Sequence, residues 1–182
     1  MYEVIAQAVG VLAMAFNIFS FQQKKAKHII AFQLFGALFF GVSYFMLGAY
    51  IGAVLNVIGV ARALLFLKKD KFHTDNIPWL VFFCSLYVAS YVLNFTVFGQ
   101  EPVFKNLVIE CLPVIGMVST NLAFRFNSAK IIRRFGLISS CSWLIYNMIA
   151  LAIGAILCEV FSIVSIFIAM VRLDRNAKVE NT

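Results

Sequence analysis

Apolar residues in this chain come in long runs, each bounded by charge and turn signals. Seven runs are read: Tyr2 to Phe21, Ile29 to Gly48, Ile51 to Leu67, Trp79 to Gly99, Phe104 to Phe124, Ile131 to Ile149 and Ala152 to Val171. A membrane-spanning helix needs about 20 apolar residues, with about 17 as a minimum. Each run therefore predicts one span. The second and third runs follow each other without a polar break and together are too long for one tilted helix. The stretch Leu47-Gly48-Ala49-Tyr50 supplies the expected turn, and Ala150-Leu151 does the same between the last two runs. The predicted fold is an all-α integral membrane protein of seven transmembrane helices.

Composition agrees and narrows the class. Of 182 residues, 63% are hydrophobic and 13% charged, and mean hydropathy is +0.93. Soluble domains hold about 45–50% apolar and about 25% charged residues, so a soluble globular domain is excluded, as is a disordered chain. Little chain is left for a water-facing enzyme site, and no nucleotide loop, zinc spacing, nucleophile triad or paired-carboxylate pattern occurs. The expectation is a protein that is not an enzyme, with no cofactor and no metal. Cys84, Cys111, Cys141 and Cys158 all lie in apolar runs without metal-type spacing and are expected to be buried packing residues. No basic stretch precedes the first run, so it is expected to be a retained helix rather than a cleaved signal.

A net charge of +7 would suggest nucleic acid in a soluble protein. Here it reads as topology, and no nucleic-acid partner is expected. With the N-terminus outside, the inner loops and tail collect Lys24, Lys25, Lys27, Lys68, Lys69, Lys71, Arg125, Lys130, Arg133, Arg134, Arg172, Arg175 and Lys178. That is 13 of 15 basic residues; only Lys105 falls outside, and Arg62 lies within a run. An excess of Lys and Arg in cytoplasmic loops sets orientation. The basic loops also suit membrane lipid headgroups.

The chain resembles itself at an offset near 102. Ile51-Gly52-Ala53-Val54-Leu55 matches Ile153-Gly154-Ala155-Ile156-Leu157, and Tyr44 matches Tyr146. A one-residue shift aligns Met14 with Met117, Phe21 with Phe124, and Ala26-Lys27 with Ala129-Lys130. Each unit is three helices, and the fourth helix restores a common orientation. The predicted arrangement is two parallel three-helix repeats joined by a linker helix. The first bundle is 1–67, the loop and linker helix 68–103, the second bundle 104–174 and the cytoplasmic tail 175–182. Ligand sites in such proteins lie between the repeats.

Arg62, Glu110 and Glu159 are the charged residues set well inside the runs, away from their ends. An insertion scale assigns about 2.5–3.5 kcal/mol to such a group at a helix centre, so each is a candidate for substrate binding or proton coupling. Arg62 has two other readings: an ion pair with a carboxylate, or snorkelling to the cytoplasmic surface. The repeat pairs Gln7 with Glu110, and Asn56 with Cys158 beside Glu159. Amide facing carboxylate suits a small polar solute, while interhelical hydrogen bonding is the ordinary alternative. Pro113 frees the carbonyl of Ile109 next to Glu110, as a hinge or a static kink.

The residues that carry a wider likeness are Ala6-Gln7-Ala8-Val9-Gly10-Val11, Leu55-Asn56, Glu110-Cys111-Leu112-Pro113-Val114-Ile115-Gly116 with Ser119-Thr120, then Trp143, Ile145, Asn147, Gly154 and Glu159. On these the chain resembles the YgjV-type bacterial inner membrane proteins over roughly residues 4 to 173. The resemblance implies a bacterial inner membrane location and supplies no substrate or site residues. More distantly the 3+1+3 layout is similar to the PQ-loop and SWEET superfamily. Asn56-x-x-Gly59 is similar to an Asn-x-x-Gly of SWEET helix three, whose asparagine faces the solute. Ser20-Phe21-Gln22 stands where a Pro-Gln pair would end helix one, without the proline. The likeness implies a small-solute transporter working by alternating access, with a non-transporting receptor-like or partner-binding protein as the alternative. Substrate, coupling ion and oligomeric state are not readable from the chain.

Overall fold

A computed structural model describes residues 2–47, 50–97, 99–149 and 153–174. Among these the chain is helical, with no strand. The helices are α1 (Tyr2–Phe21), α2 (Ala26–Met46), α3 (Tyr50–Leu67), α4 (Lys69–Phe72), α5 (Ile77–Thr96), α6 (Phe104–Arg125), α7 (Ala129–Ile149) and α8 (Ile153–Ala169), and a π-helical turn (Met170–Asp174) extends the last. Every apolar run became a helix. The turns expected at Gly48-Ala49 and Ala150-Leu151, and the tail 175–182, lie outside the described residues.

By length and composition, five segments suffice to cross a membrane: Glu3–Phe21, Ala26–Met46, Ile77–Thr96, Phe104–Arg125 and Ala155–Asp174. The apolar segment Gly52–Leu67 of α3 is shorter. The 21 residues of α7 carry Lys130, Arg133 and Arg134 in their first turns. Local chemistry fixes several ends. Asn76 is extended and Pro78 occupies the first turn of α5, where a missing N–H costs nothing. This starts α5 two residues ahead of Trp79, the expected first residue. The chain leaves α4 through His73 in the left-handed region, φ 48°. Gly99, at φ 74°, turns it toward α6.

The interior mixes apolar and polar side chains, and the outer surface is apolar. Phe19, Phe45, Val57 and Phe104 stand exposed, whereas Ser20, Ser43, Asn121, Ser140 and Ser165 are buried. So apolar an exterior, over buried serines, fits a surface solvated by acyl chains. Of the cysteines only Cys158 is buried; Cys84 is half-buried, and Cys111 and Cys141 are exposed. The expectation of four buried cysteines fails because the faces of α6 and α7 that bear Cys111 and Cys141 point outward.

Neighbours in sequence pack together: α1 on α2, α2 on α3, α6 on α7 and α7 on α8. α8 closes against α1, α2 meets α7, and α5 lies on α6 and α3. Small residues let the backbones approach, as is common between helices in lipid. Ser43 Oγ donates to the Ala6 carbonyl at 2.8 Å. A Cβ added to Gly136 of α7 would lie 2.6 Å from Phe21 Cε1 of α1.

One end of the bundle gathers the basic clusters and is tied by polar bonds. Arg133, 1% exposed, donates through Nε to the Phe21 carbonyl at 3.0 Å and through NH2 to the Gln23 carbonyl at 2.6 Å. Its NH1 pairs with Asp174. Gln22 Nε2 donates to the carbonyl and hydroxyl of Ser165 at 2.7 and 2.8 Å. Ser165 Oγ in turn donates to the Ile18 carbonyl at 2.7 Å, and Arg172 reaches Gln22 Oε1 at 3.0 Å. Beside them Arg125 holds the Asp75 carbonyl at 2.8 and 2.6 Å, and Lys69 bonds the Arg125 carbonyl.

Candidate functional site: a polar cavity among the helices

A cavity of about 620 Å³ runs through the middle of the bundle, and every helix except α4 contributes to its wall. Its walls follow helical stripes. On α3 the stripe is Gly52, Leu55, Asn56, Gly59 and Arg62; on α6 it is Glu110, Pro113, Met117 and Thr120; on α8 it is Ala155, Cys158, Glu159 and Ser162. Spacings of three and four put these residues on one face of each helix. Four of the candidate residues, Asn56, Arg62, Glu110 and Glu159, therefore share one space, together with Pro113. Gln7 does not. It is exposed on α1, which reaches the cavity only through Asn17 and Phe21 near its far end.

Arg62 is buried, 7% exposed. Its NH1 donates to the Tyr87 hydroxyl at 2.9 Å and to the Met117 carbonyl at 3.2 Å. Its guanidinium carbon lies 5.1 Å from the centroid of the Phe124 ring, and its Nε has no partner. It forms no ion pair; among the described residues those are Lys69–Asp75 and Arg133–Asp174. Neither snorkelling nor an internal carboxylate accounts for its position: Tyr87 and the α6 backbone hold it within the bundle.

The two carboxylates have neutral neighbours. Ser140 of α7 and Tyr44 of α2 lie beside Glu159. Asn94 of α5 lies beside Glu110. Asn56 Nδ2 turns back to the Gly52 carbonyl at 2.8 Å, which leaves its carbonyl oxygen for the cavity. Pro113 is buried within a continuous α6, so the Ile109 carbonyl lacks its usual N–H donor four residues on. No group of three or more His, Cys, Asp or Glu among the described residues could hold a metal.

Helix register gives the heights. Thr120 Oγ1 meets Ser139 Oγ at 3.2 Å across α6 and α7, and Ser140 is the neighbour of Ser139. Met117, which fixes Arg62, is three residues from Thr120, or about 4.5 Å at 1.5 Å per residue. Glu110 is seven residues from Met117, or about 10 Å along the axis. Arg62 and Glu159 thus lie at nearly one level, and Glu110 lies toward the end opposite the basic clusters.

Sequence reasoning missed the part played by α5, read as a linker. Tyr87, Ser90, Tyr91 and Asn94 form a stripe on the cavity wall. Their spacing of three, one and three was visible in the chain and is the signal that would have found them. Asn94 and Asn147 also line the cavity.

Residues 4–177 match the Imp-YgjV family, described as bacterial inner membrane protein. No curated protein matches the chain, and no solved structure matches it. The chain belongs to the Imp-YgjV family and is a multi-pass inner membrane protein.

Proposed function

We propose that this inner membrane protein is a small-solute transporter whose site is the cavity among its helices. The observation that carries this reading is a space of about 620 Å³ in which Asn56, Arg62, Glu110 and Glu159 meet. Charged side chains are costly in lipid and are kept for pathways and sites. A scaffold or receptor-like module would pair such groups in a dry core.

The proposed mechanism is alternating access between two three-helix bundles, α1–α3 and α6–α8, with seven spans and α5 as the connecting helix. Two observations support the repeat behind it. Asn17, Gln33, Ala37 and Phe40 line the cavity, and so do Thr120, Gly136, Ser140 and Trp143, each 103 residues further on. The packing order α1–α2–α3 also recurs as α6–α7–α8. The similarity to PQ-loop and SWEET proteins is part of the same proposal. By the positive-inside rule the basic end is cytoplasmic, which sets the N-terminus outside. The bonds of Arg133 and Gln22 join α1 to α7 and α8 at that end, which supports reading it as the closed end of the cycle.

Purified protein in liposomes, loaded with candidate solutes and exposed to labelled ones, tests the reading by exchange. Glu159→Gln is expected to reduce exchange to the level of empty liposomes while the protein stays folded. Unchanged exchange in Glu159→Gln would sink the role of that residue, and absence of any exchange would favour a receptor-like module.

A further inference from the structure

Resting on the transporter reading of the cavity, we propose that its solute is a zwitterion carrying a carboxylate and an ammonium group, as an amino acid does. Three observations combine. Among the described residues Arg62 is the one cation that lines the cavity, and it has no anion. Arg62 is buried and bonded only to neutral acceptors, and its Nε is unpartnered. A guanidinium is always charged and presents a fork that fits a carboxylate. A buried charge left uncompensated in this way is relieved by an anionic ligand, and the Tyr87 hydroxyl beside it adds a polar contact.

Another helix of the same cavity supplies the complement. Glu159 on α8 lies beside Ser140 and forms no ion pair among the described residues. It stands within about 5 Å of the height of Arg62, from the register of α6 and α7. A ligand whose carboxylate meets Arg62 presents the ammonium on the same carbon to Glu159. Glu110, about 10 Å further along the axis, is on the way in rather than at this level. A volume of about 620 Å³ falls within the range of about 300–1,000 Å³ that holds small ligands. Tyr44 and Trp143 supply apolar wall for a side chain. A plain cation would leave Arg62 unserved, and a plain anion would face Glu159.

The test is equilibrium binding and thermal unfolding of the purified full chain in lipid nanodiscs. The probes are alanine and phenylalanine, their carboxamides, the matching acids that lack the amine (propionate and 3-phenylpropionate), and glucose. The amino acids are expected to bind at least tenfold tighter than either analogue. Arg62→Gln is expected to erase the preference over the carboxamide, and Glu159→Gln the preference over the amine-free acid. Arg62→Lys keeps the charge and is expected to keep a preference for the carboxylate, which separates charge loss from misfolding. Glucose binding as well as the amino acids, a preference unmoved by Arg62→Gln, or no binding by any probe would each overturn the proposal. Amino acid binding without uptake into liposomes would overturn transport and leave the ligand class standing. Glucose uptake unaffected by Arg62→Gln would do the reverse.

Discussion

Arg62 and Arg133 are both buried arginines, and they differ in what answers their charge. Arg133 has Asp174 and two backbone carbonyls; Arg62 has a tyrosine and one carbonyl. Removing one partner of a buried pair costs about 3–5 kcal/mol. Arg133→Ala is therefore expected to lower the unfolding midpoint sharply in detergent, and Asp174→Asn to lower it less. Asn121 is fully buried, and both of its polar atoms lack partners. Leaving such groups unsatisfied costs about 1–3 kcal/mol. Asn121→Leu, close in size, is expected to raise the midpoint; a fall would mean that the amide has a partner in the membrane. Arg62 was legible as a candidate because a charge within an apolar run has few explanations. Arg133 was not, because it sits in a basic cluster that topology already explains. Gln7 went astray for a related reason: α1 turns that residue outward and offers the cavity only its basic-end half.

Helices emerged from sequence with their order and nearly their ends, since lipid demands long apolar stretches with every backbone group satisfied internally. Which face turns inward was less legible, because acyl chains accept almost any apolar residue and leave little amphipathic contrast. Small residues carry that information instead. Gly136 receives the ring of Phe21, with 2.6 Å between an added Cβ and Cε1. Overpacking a close contact costs about 1–3 kcal/mol, so Gly136→Val is expected to destabilise the protein by that order, measured by thermal unfolding. The paired substitution with Phe21→Ala is expected to recover part of the loss. In α6, Pro113→Ala restores the hydrogen bond to the Ile109 carbonyl. The expected result is a more stable protein with slower exchange; unchanged exchange would make Pro113 a static kink.

At the scale of the molecule, the charge asymmetry is the feature most open to direct measurement. Cysteines at positions 24 and 105, in a chain freed of its native ones, are expected to label oppositely with a membrane-impermeant maleimide. Position 105 reacts in intact cells and position 24 only after permeabilisation. Labelling of both from outside would refute the orientation. Two ends of the cavity also differ in how they are held. The basic end is bound by hydrogen bonds between α1, α7 and α8, while the opposite end shows few bonds between the halves among the described residues. Gln22→Ala, which removes the bonds to Ser165, is expected to speed exchange or raise leak in liposomes.

That joint also dictates an order of assembly. The carbonyls of Phe21 and Gln23 are answered by Arg133, and Gln22 by Ser165, more than a hundred residues later in the chain. A ribosome delivers α1 to the bilayer long before α7 and α8 exist. The first span must therefore wait in lipid with its last turn unanswered, held by water at the interface or by the insertion machinery, until the final span arrives. Nascent chains cut short before Ser165 lack the closing helix, which makes them natural substrates for membrane quality control.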